Sequence, residues 1–274
     1  MLKVSALYIY PVKSLGGIQL QQAEVTDRGF KYDRRWLLVD IDNRFMTQRD
    51  FAAMALLKVA ITRDNLLITY TPNADTIHIP FKPQTDDKFD VTIWESTCPA
   101  IRVSDAADAW FSAKLNKPCK LVYMPEDTHR KVDPKYAHND EITTFADDYP
   151  FLLIGEESLN DLNTRLAEAL PMNRFRPNIV FSGGEPYAED LFNEFSINSI
   201  NFKGVKLCAR CVMTTIDQET ATKHKEPLKT LAGYRRKGQK IMFGQNLLHN
   251  GTGVISVGDS LNIISQHIEE RFLV

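Results

Sequence analysis

The chain has 274 residues, with 33 Lys+Arg against 35 Asp+Glu, a formal net charge of −2 and 43% hydrophobic residues, a globular composition rather than a disordered, collagenous or membrane one. The near-neutral balance argues against nucleic acid as the main partner, and no run approaches the ~18 apolar residues of a membrane span. The length allows one or two domains whose cores need no disulfide or metal staple.

The opening Met1-Leu2-Lys3-Val4-Ser5-Ala6-Leu7 alternates apolar and polar residues and lacks the basic head and apolar run of a signal peptide. It is expected to form a strand, and the protein to stay in the cytoplasm. Period-two patterns predict further strands over 18–25, 35–40, 57–62, 66–70 and 90–94, with turns at Gly16-Gly17, Asp42-Asn43 and Thr71-Pro72-Asn73. Such spacing suits an antiparallel barrel or sandwich. A helix is expected from an N-cap at Asp105 to the residues before Asn116-Lys117-Pro118. The polar stretch 126–148 reads as a long surface connection, and the domain boundary is placed beside it, dividing 1–124 from 125–274. A second helix is expected from near Ser158 to Pro171, carrying Leu159, Leu162, Leu166 and Leu170 on one stripe. Strands over 178–182, 196–207 and 212–216, a short helix over 227–234 and a closing strand over 253–264 complete a chain that is mainly β with a few helices, an α+β class.

Four cysteines are too few for a disulfide framework, so Cys98, Cys119, Cys208 and Cys211 are expected as thiols used for metal, catalysis or packing. Cys208-Ala209-Arg210-Cys211 is the most informative tetrapeptide, because a guanidinium beside a thiol favours the thiolate that binds metal or attacks an electrophile. Four readings stand open. A zinc site would recruit Cys98 and Cys119, although these do not form the usual second short pair. A thioredoxin-like pair would want a helix after the first cysteine, whereas Val212-Met213-Thr214-Thr215-Ile216 is strand-like. Two buried structural thiols are the plain alternative. Molybdenum in a pterin cofactor is the fourth, since soft thiolate suits that metal.

The run from Cys208 to Asp217, followed by Lys225-Glu226-Pro227-Leu228-Lys229-Thr230-Leu231, Phe243-Gly244-Gln245-Asn246 and Gly258-Asp259, resembles the C-terminal (MOSC) domain of the molybdenum-cofactor sulfurase family. Upstream, Tyr10-Pro11-Val12-Lys13-Ser14, Asp33-Arg34-Arg35-Trp36, Met46-Thr47-Gln48-Arg49 and Phe175-Arg176-Pro177-Asn178 look like signature blocks of the amidoxime-reducing components and their bacterial homologues. The resemblance implies a β-barrel-like N-terminal domain followed by a MOSC β-barrel domain. It implies the molybdenum cofactor, with no pyridoxal phosphate, and puts the metal ligand and catalytic role on Cys211. Family cofactor contacts fall on Lys13, Ser14, Arg34, Arg176 and Arg210, with Ala209 contributing backbone groups; Arg and Lys would hold the cofactor's phosphate by charge-assisted hydrogen bonds. Two positions depart from the family pattern. Asp148 and Tyr149 stand where small hydroxyl residues contact the cofactor, and Asn246 replaces an aromatic contact that it cannot reproduce by stacking.

Each residue also has a plain reading. Arg34 and Arg35 alternate on a strand, so only one can face a buried anion; the match picks Arg34 and leaves Arg35 as solvated surface. Arg49 suits either a partner of the site or a surface ion pair, and Arg174 is as basic as Arg176. Asp217 suits substrate binding or a turn. His78, His129, His138, His224, His249 and His267 show no paired metal spacing, and Cys98 and Cys119 read as structural. The activity the resemblance implies is oxygen removal from N-hydroxylated small molecules. Electrons would come from a separate carrier, a ferredoxin, flavoprotein or b5-type cytochrome, because the chain stops at Val274 where some relatives continue into an iron–sulfur domain. The alternatives are a persulfide-carrying sulfur transferase and a non-catalytic cofactor carrier.

Overall fold

The computed structural model describes residues 1–137 and 139–268; the readings for His138 and Val274 lie outside the described residues. The expected class, mainly β with a few helices, is what the chain adopts. The largest sheet runs in the order Ile18–Leu20, Lys3–Ile9, Ile179–Ser182, Phe151–Gly155, Lys240–Asn250, Ile200–Ala209, Phe192–Ile197, Leu261–Gln266, with Arg236–Lys237 paired onto Lys240–Asn250. Its neighbours are antiparallel except Phe151–Gly155 beside Ile179–Ser182, a parallel pair whose connection contains the helix Glu156–Thr164. The strand Gln22–Thr26 pairs Gly253–Ser256, so elements from both sides of residue 124 share sheets.

The apolar face of this sheet encloses Leu7, Val25, Phe30, Phe151, Phe195, Phe202 and Leu247, all essentially buried. Phe195 stacks on Phe202 at 5.4 Å and Phe151 meets Phe202 edge-on at 5.5 Å; each buried ring contributes about 1.5–3 kcal/mol. A second core holds Trp36, Leu38, Met54, Leu66, Phe111 and Leu121. It lies among the sheet Trp36–Val39, Lys120–Tyr123, Ser96–Arg102, Lys88–Ile93 and the three strands Leu57–Ile61, Asn65–Tyr70 and Asp75–Pro80.

Several expected elements are corrected. The first helix spans Asp105–Leu115, but its cap is Ser104, whose Oγ accepts from Ala107 N at 3.2 Å. The second helix is only Glu156–Thr164. The Asn163 side chain binds both backbone groups of Leu170, at 2.9 and 3.1 Å, and so closes a loop where the leucine stripe suggested further helix. Residues 212–216 are not a strand: Val212–Thr215 is one turn of 3₁₀ helix. The hydroxyls of Thr214 and Thr215 donate to the carbonyls of Cys211 and Val212, three residues back, at 3.0 and 2.7 Å. Nor is 126–148 simply a surface connection, since Thr128, Arg130, Thr144 and Phe145 within it are buried.

Under the helix Glu156–Thr164, Glu189 is fully buried, accepting from Ser158 Oγ at 2.8 Å beside Asp190, which pairs with Arg235 at 2.5 Å. Burial, reinforced by the Asp190 charge, pushes the Glu189 carboxyl up to about 7. A carboxyl raised in the folded state stabilises the fold fully below its unfolded value and loses that contribution as pH rises through the folded one. Glu189→Gln should therefore gain on wild type between pH 5 and pH 8, by at most about 3 kcal/mol. Urea midpoints of the two proteins at those pH values check this; an equal difference at both contradicts it.

Candidate functional site

The strand Ile200–Ala209 carries two register shifts against Lys240–Asn250, the second at Leu207/Ala209 just before the cysteine pair. Such bulges re-aim the residues that follow. Arg210 N donates to Ile241 O at 2.7 Å, and Cys211, extended, leads into the Val212–Thr215 turn. Cys208 Sγ accepts from Arg210 Nη1 at 3.0 Å, while Arg210 Nη2 donates to Phe175 O at 2.6 Å. The guanidinium thus leans on Cys208. Burial nonetheless pushes that thiol up, overriding the Arg210 charge, so the expected activation by arginine does not hold there. The Cys211 thiol is half-buried and makes no hydrogen bond among the described residues. Cys98, Cys119 and Cys208 pack in three different apolar clusters, which separates the ligands the zinc reading requires.

A group of cations gathers around Asp147, whose charge also acts on Cys208. Lys13, 5% exposed, donates to Phe145 O at 2.8 Å and to Asp147 at 2.6 Å; burial lowers it to about 8 against the pull of Asp147. Asp147 is an open carboxylate. Crowding would raise it, but Lys13, Arg49 and the Trp94 indole N–H, 3.1 Å away, hold it below the usual carboxylate range. The same carboxylate interacts electrostatically with Arg34, Arg130, Arg176 and Cys208. Arg34 pairs with buried Asp33 at 2.6 Å and donates to Asn178 Oδ1 at 3.1 Å. Arg176, 7% exposed, donates to Leu15 O at 2.8 Å, and burial lowers it to about 10. The Tyr10 ring carries both guanidiniums, Arg34 at 4.4 Å and Arg176 at 4.1 Å. A cavity of about 370 Å³ opens beside Tyr10 and Arg176, lined also by Gly17, Lys58 and Gln218.

Ser14, Arg34 and Arg176 all sit in left-handed backbone, with φ of 66°, 48° and 55°, and Trp94 joins them at 55°. Non-glycine residues rarely adopt this conformation, and such strain collects at binding and catalytic sites. Ser14 is buried, with no partner for its Oγ. Among the described residues Arg49, Arg130, Arg176 and Arg210 meet no carboxylate at salt-bridge distance. The arrangement can hold a polyanion, because Arg49, Arg130, Arg176 and Arg210 have no directly paired carboxylate, and Asp147 supplies one negative charge shared among several of them.

The structure therefore groups Lys13, Arg34 and Arg176 around Asp147, ties Ser14 through Gln48 and Gln218 to the segment after Cys211, and joins Arg210 to the carbonyl of Phe175. Ala209 is exposed and pairs with Met242 through its backbone. Asp148 is exposed next to Asp147. Tyr149 packs away from the cations with Val132, Val205 and Leu248. Asn246 lies mid-strand opposite Leu152 and Lys206, and its side chain makes no hydrogen bond among the described residues. Arg35 is corrected: it is not solvated surface but 9% exposed, holding Glu126 at 2.8 Å and Met124 O at 2.6 Å. Arg174, buried, donates to Thr214 O and pairs with Asp217 at 3.0 Å, while Asp217 Oδ1 also accepts from Glu219 N and Thr220 N in a turn.

Sequence reasoning missed the parts that fasten the site. Gln48 and Gln218 exchange two amide hydrogen bonds, at 3.1 and 3.0 Å, and Gln48 also donates to Ser14 O at 2.7 Å. This ties the 46–49 block to the segment after Cys211 through a contact that local spacing does not encode. Arg130 donates to the carbonyls of Thr144, Ala146 and Asp147 at 2.7–2.9 Å and so shapes the loop that presents Asp147.

Two family models match: the MOSC N-terminal beta barrel domain over residues 1–118 and the MOSC domain over residues 140–262. The chain belongs to the MOSC-domain family. Mitochondrial amidoxime-reducing component 1 of Homo sapiens is 33% identical over 283 residues, covering 96% of this chain and 83% of the relative. Mitochondrial amidoxime reducing component 2 of Rattus norvegicus is 33% identical over 277 residues, covering 93% and 81%. Molybdenum cofactor sulfurase of Arabidopsis thaliana is 33% identical over 267 residues, covering 88% of this chain but 32% of the relative.

Proposed function

We propose that the chain binds the molybdenum cofactor between residues 1–124 and 125–274, through Cys211 and the cations facing it, and reduces N-hydroxylated compounds by removing oxygen. The observation that carries this is the half-buried Cys211 thiol in a segment that leads from Arg210, together with Arg176, a buried guanidinium on left-handed backbone that has no carboxylate at salt-bridge distance. The residues present fit such a group. Cys211 offers a soft sulfur ligand, buried Arg176 and Lys13 and half-buried Arg34 offer donors for a phosphate-bearing tail, and the Ser14 hydroxyl lacks a protein partner. When bound, the cofactor supplies two-electron oxygen-atom-transfer chemistry.

The protein's own work is positional. Gln48 and Gln218 lock the Cys211 segment against the N-terminal half, Arg130 fixes the Asp147 loop, and Arg210 bridges the cysteine pair to the Phe175-Arg176 segment. Balance requires that R–NHOH take two electrons and two protons to give R–NH₂ and water. The electrons come from a separate carrier. Among the described residues no helix is long and apolar enough to cross a membrane; the four free thiols suit a reducing compartment, and a cytoplasmic location is part of the proposal.

Cofactor-loaded protein given reduced viologen and benzamidoxime or a hydroxylamine should consume the substrate. Failure with demonstrably intact cofactor would turn the reading towards storage or carriage. The persulfide reading draws support from the sulfurase relatives, of which this chain spans about a third. Sulfane sulfur on Cys211 in metal-free protein would favour it.

A further inference from the structure

Residues 220–240 hold seven Lys or Arg against one acid, Glu226, in a chain whose net charge is −2. Glu226 is turned to its own backbone, accepting from Thr230 N at 3.0 Å. Of the seven cations only Arg235 is buried; Lys223, Lys225, Lys229, Arg236, Lys237 and Lys240 are exposed. Both ends of this arm are fastened to the Cys211 segment. On one side Lys223 bridges Ile216, and His224 N donates to Thr215 O at 3.0 Å. On the other, the Arg236–Lys240 hairpin leads into Ile241 and Met242, which pair with Arg210 and Ala209. The cations therefore flank the Ala209–Thr215 segment, where Val212, next to Cys211, is 51% exposed.

We propose that this arm is the docking surface for an acidic electron-transfer protein. The inference rests on the reductive reading above, in which each turnover takes two electrons from a separate carrier, and it commits that carrier to the acidic, one-electron iron–sulfur class. Concentrated charge beside a redox site steers an oppositely charged partner and raises its association rate by about 10- to 1000-fold, an effect that salt screens over a Debye length of about 10 Å at 0.1 M. A protein partner is favoured over an anionic membrane because, among the described residues, the arm exposes no large hydrophobic side chain to enter a bilayer.

The test compares wild type with Lys225→Glu/Lys229→Glu and Arg236→Glu/Lys237→Glu, each cofactor-loaded. Titration with an acidic [2Fe–2S] ferredoxin at 50 mM salt should show at least tenfold weaker binding for each reversal and loss of wild-type binding at 500 mM. Ferredoxin-driven kcat/KM should fall in parallel, with viologen-driven turnover unchanged. The neutral pair Arg236→Gln/Lys237→Gln should lose less than the reversal, which separates charge from misfolding. Equal ferredoxin affinity in wild type and both reversals overturns the proposal. So does charge-dependent sedimentation with vesicles containing 30% phosphatidylserine when ferredoxin does not bind. If viologen fails to drive wild-type turnover while ferredoxin still binds through the arm, the reductive reading fails and the docking surface stands.

Discussion

Arg176→Met is expected to weaken cofactor retention by about tenfold to a hundredfold while leaving the cofactor-free fold within about 1 kcal/mol of wild type or more stable. The first figure follows from losing charge-assisted hydrogen bonds worth about 1.5–3 kcal/mol. The second follows from burial. Arg176 is 7% exposed, its protein partners are the Leu15 carbonyl and the Tyr10 ring, and burial lowers its pKa to about 10. Removing a charge buried without a carboxylate relieves desolvation, which offsets the lost carbonyl contact. Methionine keeps the stem packing and meets the same left-handed backbone strain. Arg174→Met should do the reverse, because Arg174 holds Asp217 and the Thr214 carbonyl; its loss should destabilise the fold by about 1.5–3 kcal/mol, the range for hydrogen bonds to a charged group, with Asp217, a third exposed, staying solvated. Metal and pterin content after gel filtration, with urea midpoints of the apo-proteins, checks both. Full retention by Arg176→Met would remove it from the site.

Cys211→Ser is expected to cut viologen-driven reduction at least a hundredfold, the upper end of what losing an outer partner of a metal site costs. Cys208→Ser should stay within about threefold, since a hydroxyl can still accept from Arg210 Nη1, which bonds Cys208 Sγ at 3.0 Å. The two cysteines differ in what surrounds them. Cys208 has Arg210 and the apolar cluster of Leu152 and Phe243, whereas the Cys211 thiol has no hydrogen-bond partner among the described residues. Equal losses in both variants would contradict this division of roles.

The strand-rich class was legible because alternation survives in short segments such as Lys3–Ile9 and Leu57–Ile61. Local pattern failed where side chains hydrogen-bond their own backbone. The threonine hydroxyls turned an apparent strand at 212–216 into 3₁₀ helix, and Asn163 ended a helix that the leucine stripe seemed to prolong. Lys13, Arg34, Arg176 and Cys211 of the proposed site are legible only through the matched blocks, whose order along the chain stands in for proximity. Arg35 was misjudged because strand alternation says which face a side chain takes, not whether Tyr123 and Glu126 cover that face. Asp147, Gln48 and Arg130 went unassigned for a related reason. Each acts through contacts at least fourteen positions away in sequence, to Lys13, Gln218 and the Thr144–Asp147 carbonyls, and no local spacing encodes such contacts.

The most direct examination of the sulfur ligand is molybdenum K-edge X-ray absorption on cofactor-loaded wild type, Cys208→Ser and Cys211→Ser, with the sulfur scatterers around the metal counted in each. The account predicts one sulfur fewer in Cys211→Ser and an unchanged count in Cys208→Ser. An unchanged count in Cys211→Ser, with metal retained in full, would contradict it.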